Sequence, residues 1–312
     1  MTRVVDFVDS MPAPNSITRF DVEVFGGRLA CFRFGKPAAE RLAIALHGTT
    51  SSSRAWLPIA RALGDRAGLV AVDLRGRGSS RELPGPYGID AHVRDVLAVI
   101  DALGLERVVL AGHSLGAYIA AQLAASYPER VRSVVLVDGG LPIPGSADAD
   151  LDAFLGPALA RLKLRFADRE AYRAWWQQHP ALGSDVADED LWAYADHDLV
   201  GSAPDLRSSV IEEAVRADAA DMAQAADAAY RLTVPARALC APRGLVNDPN
   251  PMQPLELVRT WAAENPSLRE AALISDVNHY TITLGERGAA AVADAIAAAC
   301  EERPPVAPRS GV

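Results

Sequence analysis

One stretch constrains this chain more than any other: Val108-Val109-Leu110-Ala111-Gly112-His113-Ser114-Leu115-Gly116-Ala117. An apolar run of β type enters Gly-x-Ser-x-Gly and leaves through Tyr118-Ile119-Ala120-Ala121-Gln122-Leu123-Ala124, an Ala-rich helical pattern. A serine on so tight a strand-to-helix turn is held with its hydroxyl projecting above the sheet edge. Gly112 and Gly116 leave room for a strained turn that larger side chains obstruct. The helix starting there aims free N–H groups and its positive dipole end at the same point, which suits a developing oxyanion.

Around this stretch the pattern alternates strand and helix. Asp21–Phe25 and Leu29–Phe34 flank Gly26-Gly27, a hairpin signal. Leu42–Leu46, Leu69–Val72 and Ser133–Val137 are short unalternating apolar runs, expected of parallel strands covered on both faces. Trp56–Leu63 and Asp90–Leu103 have helical spacing, with Asp90 expected as an N-cap and Gly104 as a stop. The repetition predicts a mostly parallel central sheet with helices on both faces.

After Asp138-Gly139-Gly140 the alternation stops. Residues 141–230 show amphipathic helical segments and no convincing strand, and the strand pattern resumes only at Ala236–Ala241. A helix over Leu255–Glu264, a strand over Glu270–Ile274 and a helix over Glu286–Cys300 follow. The expected organisation is a core domain, 1–140 and 231–300, an all-helical cap, 141–230, and a Pro-rich disordered tail, 301–312. A cap would cover the C-terminal ends of the strands, where open α/β sheets place ligands.

Composition narrows the function classes. The 312 residues carry a formal net charge of -9, so the basic footprint of a nucleic-acid binder is missing. Cys31, Cys240 and Cys300 are widely spaced, which fits buried thiols in a reducing compartment rather than a disulfide framework or metal cluster. Residues 1–16 lack the apolar core of a signal peptide, and Ala289–Cys300 is too short and too interrupted to span a bilayer. A soluble, cytoplasmic protein without membrane insertion is expected. There is no His-x-x-x-His, Glu-x-x-His or phosphate-loop spacing, so neither metal nor cofactor is predicted.

Four features in order resemble the α/β-hydrolase superfamily, in its serine esterase and lipase-like branch: His47-Gly48-Thr49-Thr50 after an early strand, Gly112–Gly116, a helical insert after the next strand, and Asn278-His279-Tyr280 after the last one. The resemblance spans about Asp21 to Cys300 and implies the α/β-hydrolase fold. It implies Ser114 as nucleophile, His279 as general base and then acid, and an oxyanion hole from the backbone N–H groups of Leu115 and Thr49. For His47, His92, His113, His179 and His197, surface or local hydrogen-bonding roles are the expectation.

The triad's acid is less determined. The superfamily's usual place, the loop after the first post-cap strand, holds Gly244 where the carboxylate would stand; Asp248 follows four residues later. Asp138, after the strand beyond the elbow helix, occupies an earlier strand end that some members use. Asp138 is preferred because the usual position is vacant, with Asp248 the alternative; Asp276 is too close to His279 along the chain. The expected activity is hydrolysis of carboxylic esters, including lactones or thioesters, through an acyl-enzyme. Dehalogenases and epoxide hydrolases need Asp at position 114. A cofactor-free carbon–carbon bond hydrolase or perhydrolase, or a non-catalytic small-molecule receptor, remains as an alternative. Phe154, Phe166, Tyr172, Trp175, Trp176, Trp192 and Tyr194 make the cap aromatic-rich. Most are expected in its core, and the substrate is expected to be a small-molecule ester with apolar bulk.

Overall fold

A computed structural model describes residues 17–35, 41–142, 151–182 and 185–302. Its frame is an eight-stranded sheet built from β1 (Ile17–Val24), β2 (Gly27–Phe34), β3 (Leu42–Leu46), β4 (Gly68–Val72), β5 (Val108–His113), β6 (Val131–Val137), β9 (Ala236–Cys240) and β10 (Leu268–Leu273). The spatial order is β1-β2-β4-β3-β5-β6-β9-β10. The hairpin pairs antiparallel within itself and onto β4, and every later pairing is parallel.

The unalternating runs are buried on both faces. Ile44, Leu110, Val134 and Cys240 turn to one cluster, which packs under α2 (Ile89–Ala102), α3 (Leu115–Ser126) and α8 (Leu255–Glu264). Ala43, Ala45, Val109, Val135 and Leu239 turn to the other, under α1 (Leu57–Leu63) and α10 (Glu286–Glu301). Neighbours along a strand point to opposite faces, so two helical layers require apolar residues at every position.

Between β6 and β9 lie α4 (Leu151–Leu162), α5 (Arg169–Gln177), α6 (Asp188–Asp198) and α7 (Glu212–Ala225). The insert also contains a two-stranded ribbon of β7 (Leu199–Val200) and β8 (Arg207–Ser208), which the helical pattern does not reveal. Strands of two residues carry no period to detect. The aromatic side chains Phe166, Tyr172, Trp176 and Tyr194 pack into one cluster, while Trp192 is exposed. The side chain of Phe154 and residues 303–312 of the tail fall outside the described region, and Glu301 is still helical.

One helix start differs from expectation. The N-cap of α2 is Gly88, and Asp90 stands in the first turn. The cap is supplied across the fold instead: Asp218 Oδ1 accepts from Gly88 N–H at 2.8 Å and Asp221 Oδ2 from Ile89 N–H at 3.1 Å. Carboxylates at a helix N-terminus satisfy free amides and complement the dipole, and here they tie the insert's α7 to the core.

Candidate active site

The elbow forms where β5 ends. Ser114 has φ 53° and ψ -119°, a region costing a non-glycine residue on the order of 1–3 kcal/mol. Its N–H donates to Val137 O on β6 at 3.0 Å, so the ladder holds the strained residue in place. A Cβ on Gly112 would lie 2.1 Å from Gly116 O, and one on Gly116 would lie 2.0 Å from Leu46 O. Both positions therefore need glycine for close backbone approach. Ser114 is partly exposed in an otherwise buried run, because its hydroxyl side opens onto a cavity.

One strand over, the same device recurs. Asp138 follows β6 with φ 46°, and its N–H donates to Leu239 O on β9 at 2.7 Å. Its Oδ1 accepts from Ala241 N–H at 3.1 Å, and its Oδ2 lies 2.7 Å from His279 Nδ1. Asp138 and His279 are both buried. A carboxylate only accepts, so Nδ1 carries the proton and Nε2 keeps the lone pair a general base requires. Asp248, by contrast, accepts from Asn250 N–H at 3.0 Å within its own loop. Of the two candidate acids, the fold brings Asp138 to the histidine and leaves Asp248 as a turn former.

His279 lies between β10 and α9 (Thr281–Leu284), in a loop fixed from several sides. Its N–H donates to Arg243 O at 3.1 Å. His113 Nε2 donates to its carbonyl at 2.9 Å, joining the elbow directly to the histidine loop. Burial, then the neighbouring His279, push the His113 pKa well below its ordinary value, so it stays neutral with its proton on Nε2. Asn278 Oδ1 accepts from the N–H groups of Tyr280 and Thr281, and its Nδ2 donates to Ala181 O of the insert at 2.7 Å.

The loop after β3 is a turn closed by Ser51 N–H donating to Gly48 O at 3.2 Å. Gly48 O also receives His47 Nδ1–H at 2.8 Å, while His47 Nε2 accepts from Leu74 N–H at 3.0 Å. Those two bonds fix the tautomer. Burial lowers the His47 pKa to about 4, so the ring is neutral. Thr49 O accepts from Arg77 Nε at 3.0 Å, and Thr50 O accepts from an Arg161 guanidinium nitrogen at 2.8 Å. Because a trans peptide points its C=O and N–H oppositely, holding Gly48 O turns the Thr49 N–H the other way. Among the described residues, neither Thr49 N–H nor Leu115 N–H has a protein acceptor.

Ser114, Asp138, His279, Gly48, Thr49 and Thr50 line one cavity, with about 80 Å³ open to the centre of a water molecule. Its remaining wall is largely apolar, including Ala55, Ala158, Met222, Leu245, Met252 and Leu284, with Tyr194 and Tyr280 the insert and histidine-loop aromatics that reach it. Among the described residues, no group of three or more His, Cys, Asp or Glu could hold a metal ion, and no helix is long and apolar enough to cross a membrane.

With this geometry in place, similarity to known proteins becomes informative. A model of the alpha/beta hydrolase fold matches residues 44–182. A crystal structure of E-2-(acetamidomethylene)succinate hydrolase superposes with TM-score 0.77 at 23% identity, covering 92% of this chain and 100% of that one. The chain has the alpha/beta-hydrolase fold. Lipase LipV of Mycobacterium tuberculosis is 34% identical over 168 residues, 52% of this chain and 61% of the lipase. The 2-(acetamidomethylene)succinate hydrolase of Mesorhizobium japonicum is 39% identical over 97 residues, 31% of this chain and 35% of that enzyme. The aligned parts thus span less than two thirds of either curated relative.

Within this hydrolase fold, two histidines expected to be bland have specific positions: His47 orients the Thr49 peptide and His113 holds the His279 carbonyl. Each stands beside a glycine-rich turn, which is the local signal available. The charged turn after β4 is tied into the fold by hydrogen bonds and ion pairs. Asp73 accepts from Ser53 N–H and Ser79 N–H at 2.8 Å each and from His197 Nε2 at 2.7 Å. Burial opposes its charge, but the His197 hydrogen bond and charge hold its carboxyl well below the usual range. Arg75 pairs bidentately with Asp95, and Arg77 with Asp218 of α7.

Proposed function

We propose that this protein is a serine hydrolase of carboxylic esters, lactones or thioesters, with residues 141–230 acting as a cap over the site. One observation carries the reading. A strained, ladder-held Ser114 shares a cavity with a histidine whose Nδ1 is engaged by a buried carboxylate 2.7 Å away. In the proposed sequence, Ser114 Oγ attacks the substrate carbonyl as His279 Nε2 takes its proton. The resulting oxyanion lies at the amides of Thr49 and Leu115. Collapse expels the alcohol or thiol, which takes the proton from His279, and leaves an acyl-Ser114. Water, deprotonated by the same nitrogen, then releases the acid. The apolar wall favours a substrate with apolar bulk on the acyl or alcohol side.

The similarity to proteins named a lipase and a hydrolase of an acetamidomethylene compound supports carbonyl-directed hydrolysis, and the apolar cavity supports an ester. The test uses short 4-nitrophenyl esters, which should give a burst equal to the active-site concentration. A fluorophosphonate should abolish turnover by labelling Ser114, and Ser114→Ala should neither turn over nor be labelled. Esterase activity that persists in Ser114→Ala would refute the proposal.

A further inference from the structure

The insert reaches into the oxyanion turn through one buried cation. Arg161, on α4, donates from one terminal nitrogen to Thr50 O at 2.8 Å. Its other terminal nitrogen donates to Asp198 Oδ2 at 2.7 Å, Tyr172 Oη at 2.9 Å and Ser208 Oγ at 3.2 Å. The Tyr172 hydroxyl in turn donates to Asp198, and the ring of Trp176 lies 5.1 Å beneath the guanidinium. Arg161 and Asp198 side chains are 4% and 5% exposed. Burial works against the charge, but the Tyr172 and Asp198 oxygens hold the guanidinium pKa above its ordinary value.

Thr49 and Thr50 are the two central residues of a turn whose outer face is bonded throughout. Gly48 O is taken by His47 and Ser51, Thr49 O by Arg77, and Thr50 O by Arg161. His47 belongs to the core; Arg77 is paired with Asp218 of α7 and Arg161 with Asp198 of α6. A planar guanidinium locked on one side by a carboxylate presents its remaining N–H groups in a fixed direction. Such a donor can hold a carbonyl without the side-chain freedom a surface lysine would have.

Resting on the serine-hydrolase reading above, we propose that Arg161 is a positioning residue. From the insert it fixes the Thr50 carbonyl, whose peptide carries the Ser51 N–H bonded to Gly48 O, and through that turn closure it helps aim the Thr49 amide, so the core alone does not complete the oxyanion hole. Arg161 does not line the cavity, so its contribution appears where negative charge develops and not in ground-state binding.

The experiment compares Arg161→Met, Arg161→Lys, Tyr172→Phe and Ser208→Ala with the parent. Three quantities are measured: kcat and KM on a 4-nitrophenyl ester, affinity for an alkylboronic acid that forms a tetrahedral adduct with Ser114, and affinity for the unreactive amide analogue of the substrate. Removing an oxyanion donor outright costs about 10²–10³ in rate; misdirecting one should cost Arg161→Met about 10- to 100-fold in kcat. Boronate affinity should fall by a similar factor, while KM and amide affinity stay within about threefold. Arg161→Lys, which keeps a cation able to reach Thr50 O, should recover part of both losses. Tyr172→Phe and Ser208→Ala cut the same polar knot without touching Thr50 and should keep kcat within about threefold of the parent.

Unchanged kcat and boronate affinity in Arg161→Met overturn the proposal. So does an equal loss in Tyr172→Phe and Ser208→Ala, which would make the knot merely structural. Should Arg161→Met not fold, the kcat-against-KM split in Arg161→Lys decides: a fall confined to kcat and boronate affinity supports positioning, and a parallel rise in KM and amide dissociation refutes it. A parent protein that gives neither burst nor boronate adduct overturns the serine-hydrolase reading and this proposal with it. A parent that gives both, with no selective loss in the Arg161 variants, overturns this proposal alone.

Discussion

Replacing Asp138 by Asn probes the site at its most specific bond. The Asn carbonyl oxygen can still accept from Ala241 N–H, now received by Asp138 Oδ1 at 3.1 Å. The amide NH2 then faces His279 Nδ1, where a carboxylate oxygen sits at 2.7 Å. An NH2 is a donor, so Nδ1 must present its lone pair and the proton moves to Nε2. A ring protonated at Nε2 cannot take the Ser114 proton, and no anion remains to stabilise the imidazolium. Where this exchange is known in a serine protease it costs about 10⁴ in kcat, equivalent to about 5 kcal/mol at 1.36 kcal/mol per decade. A loss of that order is expected here, with the fold retained because size and the Ala241 bond are preserved. Asp248→Asn should stay within about twofold, since that carboxylate accepts from groups of its own loop. The assay is burst and steady-state kinetics on a 4-nitrophenyl ester, with thermal midpoints as a folding control. An Asp138→Asn enzyme within tenfold of the parent, or a larger loss in Asp248→Asn, would refute the tautomer argument.

Three further outcomes are expected. Ser114→Ala should abolish both turnover and phosphonate labelling, as mass spectrometry of the labelled protein would show. Gly116→Ala should destabilise by about 3 kcal/mol, the upper end of the usual overpacking cost, because its Cβ would stand 2.0 Å from Leu46 O; an unshifted urea midpoint would count against the close-approach argument. Burial lowers the His47 pKa from 6.5 to about 4, so the folded state binds fewer protons than the unfolded one. The stability this represents is complete above about pH 6.5 and is lost as pH falls through 4. The drop between pH 7.5 and 4 should be about 3 kcal/mol from His47, with His113 shifted in the same direction. Chemical denaturation at the two pH values measures it, and equal stabilities would show that these rings are not buried neutral.

The strand runs, the elbow and its helix were legible in the sequence because their causes are local. Leu42–Leu46 and Val108–Leu110 are apolar at every position, so only a sheet covered on both faces accommodates them. Gly112-His113-Ser114-Leu115-Gly116 between strand and helix marks the turn and its hydroxyl in the sequence, although Val137 O on β6 holds the folded turn in place. The spacing of Asp138, Asp248 and His279 along the chain, however, ranked the acids only by an empty position at Gly244. The tertiary structure separates them: β5, β6 and β9 lie side by side, which sets Ser114 and Asp138 at neighbouring strand ends with Asp138 2.7 Å from His279, while the Asp248 carboxylate serves its own turn.

The support around the site was invisible for a related reason. His113, Arg77 and Arg161 act on carbonyls or carboxylates from other segments, Arg161 on Thr50 across 111 residues and His113 on His279 across 166, and His47 is fixed by the Leu74 amide across 27. Neither partner in such a bond leaves a periodic trace, since a buried histidine or arginine needs only one well-placed acceptor wherever the chain supplies it. Two-residue strands such as β7 and β8, and the remote capping of α2 by Asp218 and Asp221, are undetectable on the same ground. The sequence by itself determined the sheet's apolar strands and the Ser114 turn, which follow from burial pattern and the turn's glycines. Only the folded chain decided which carboxylate meets His279 and which side chains hold the Gly48, Thr49 and Thr50 carbonyls, because hydrogen-bond partners are selected by proximity in space.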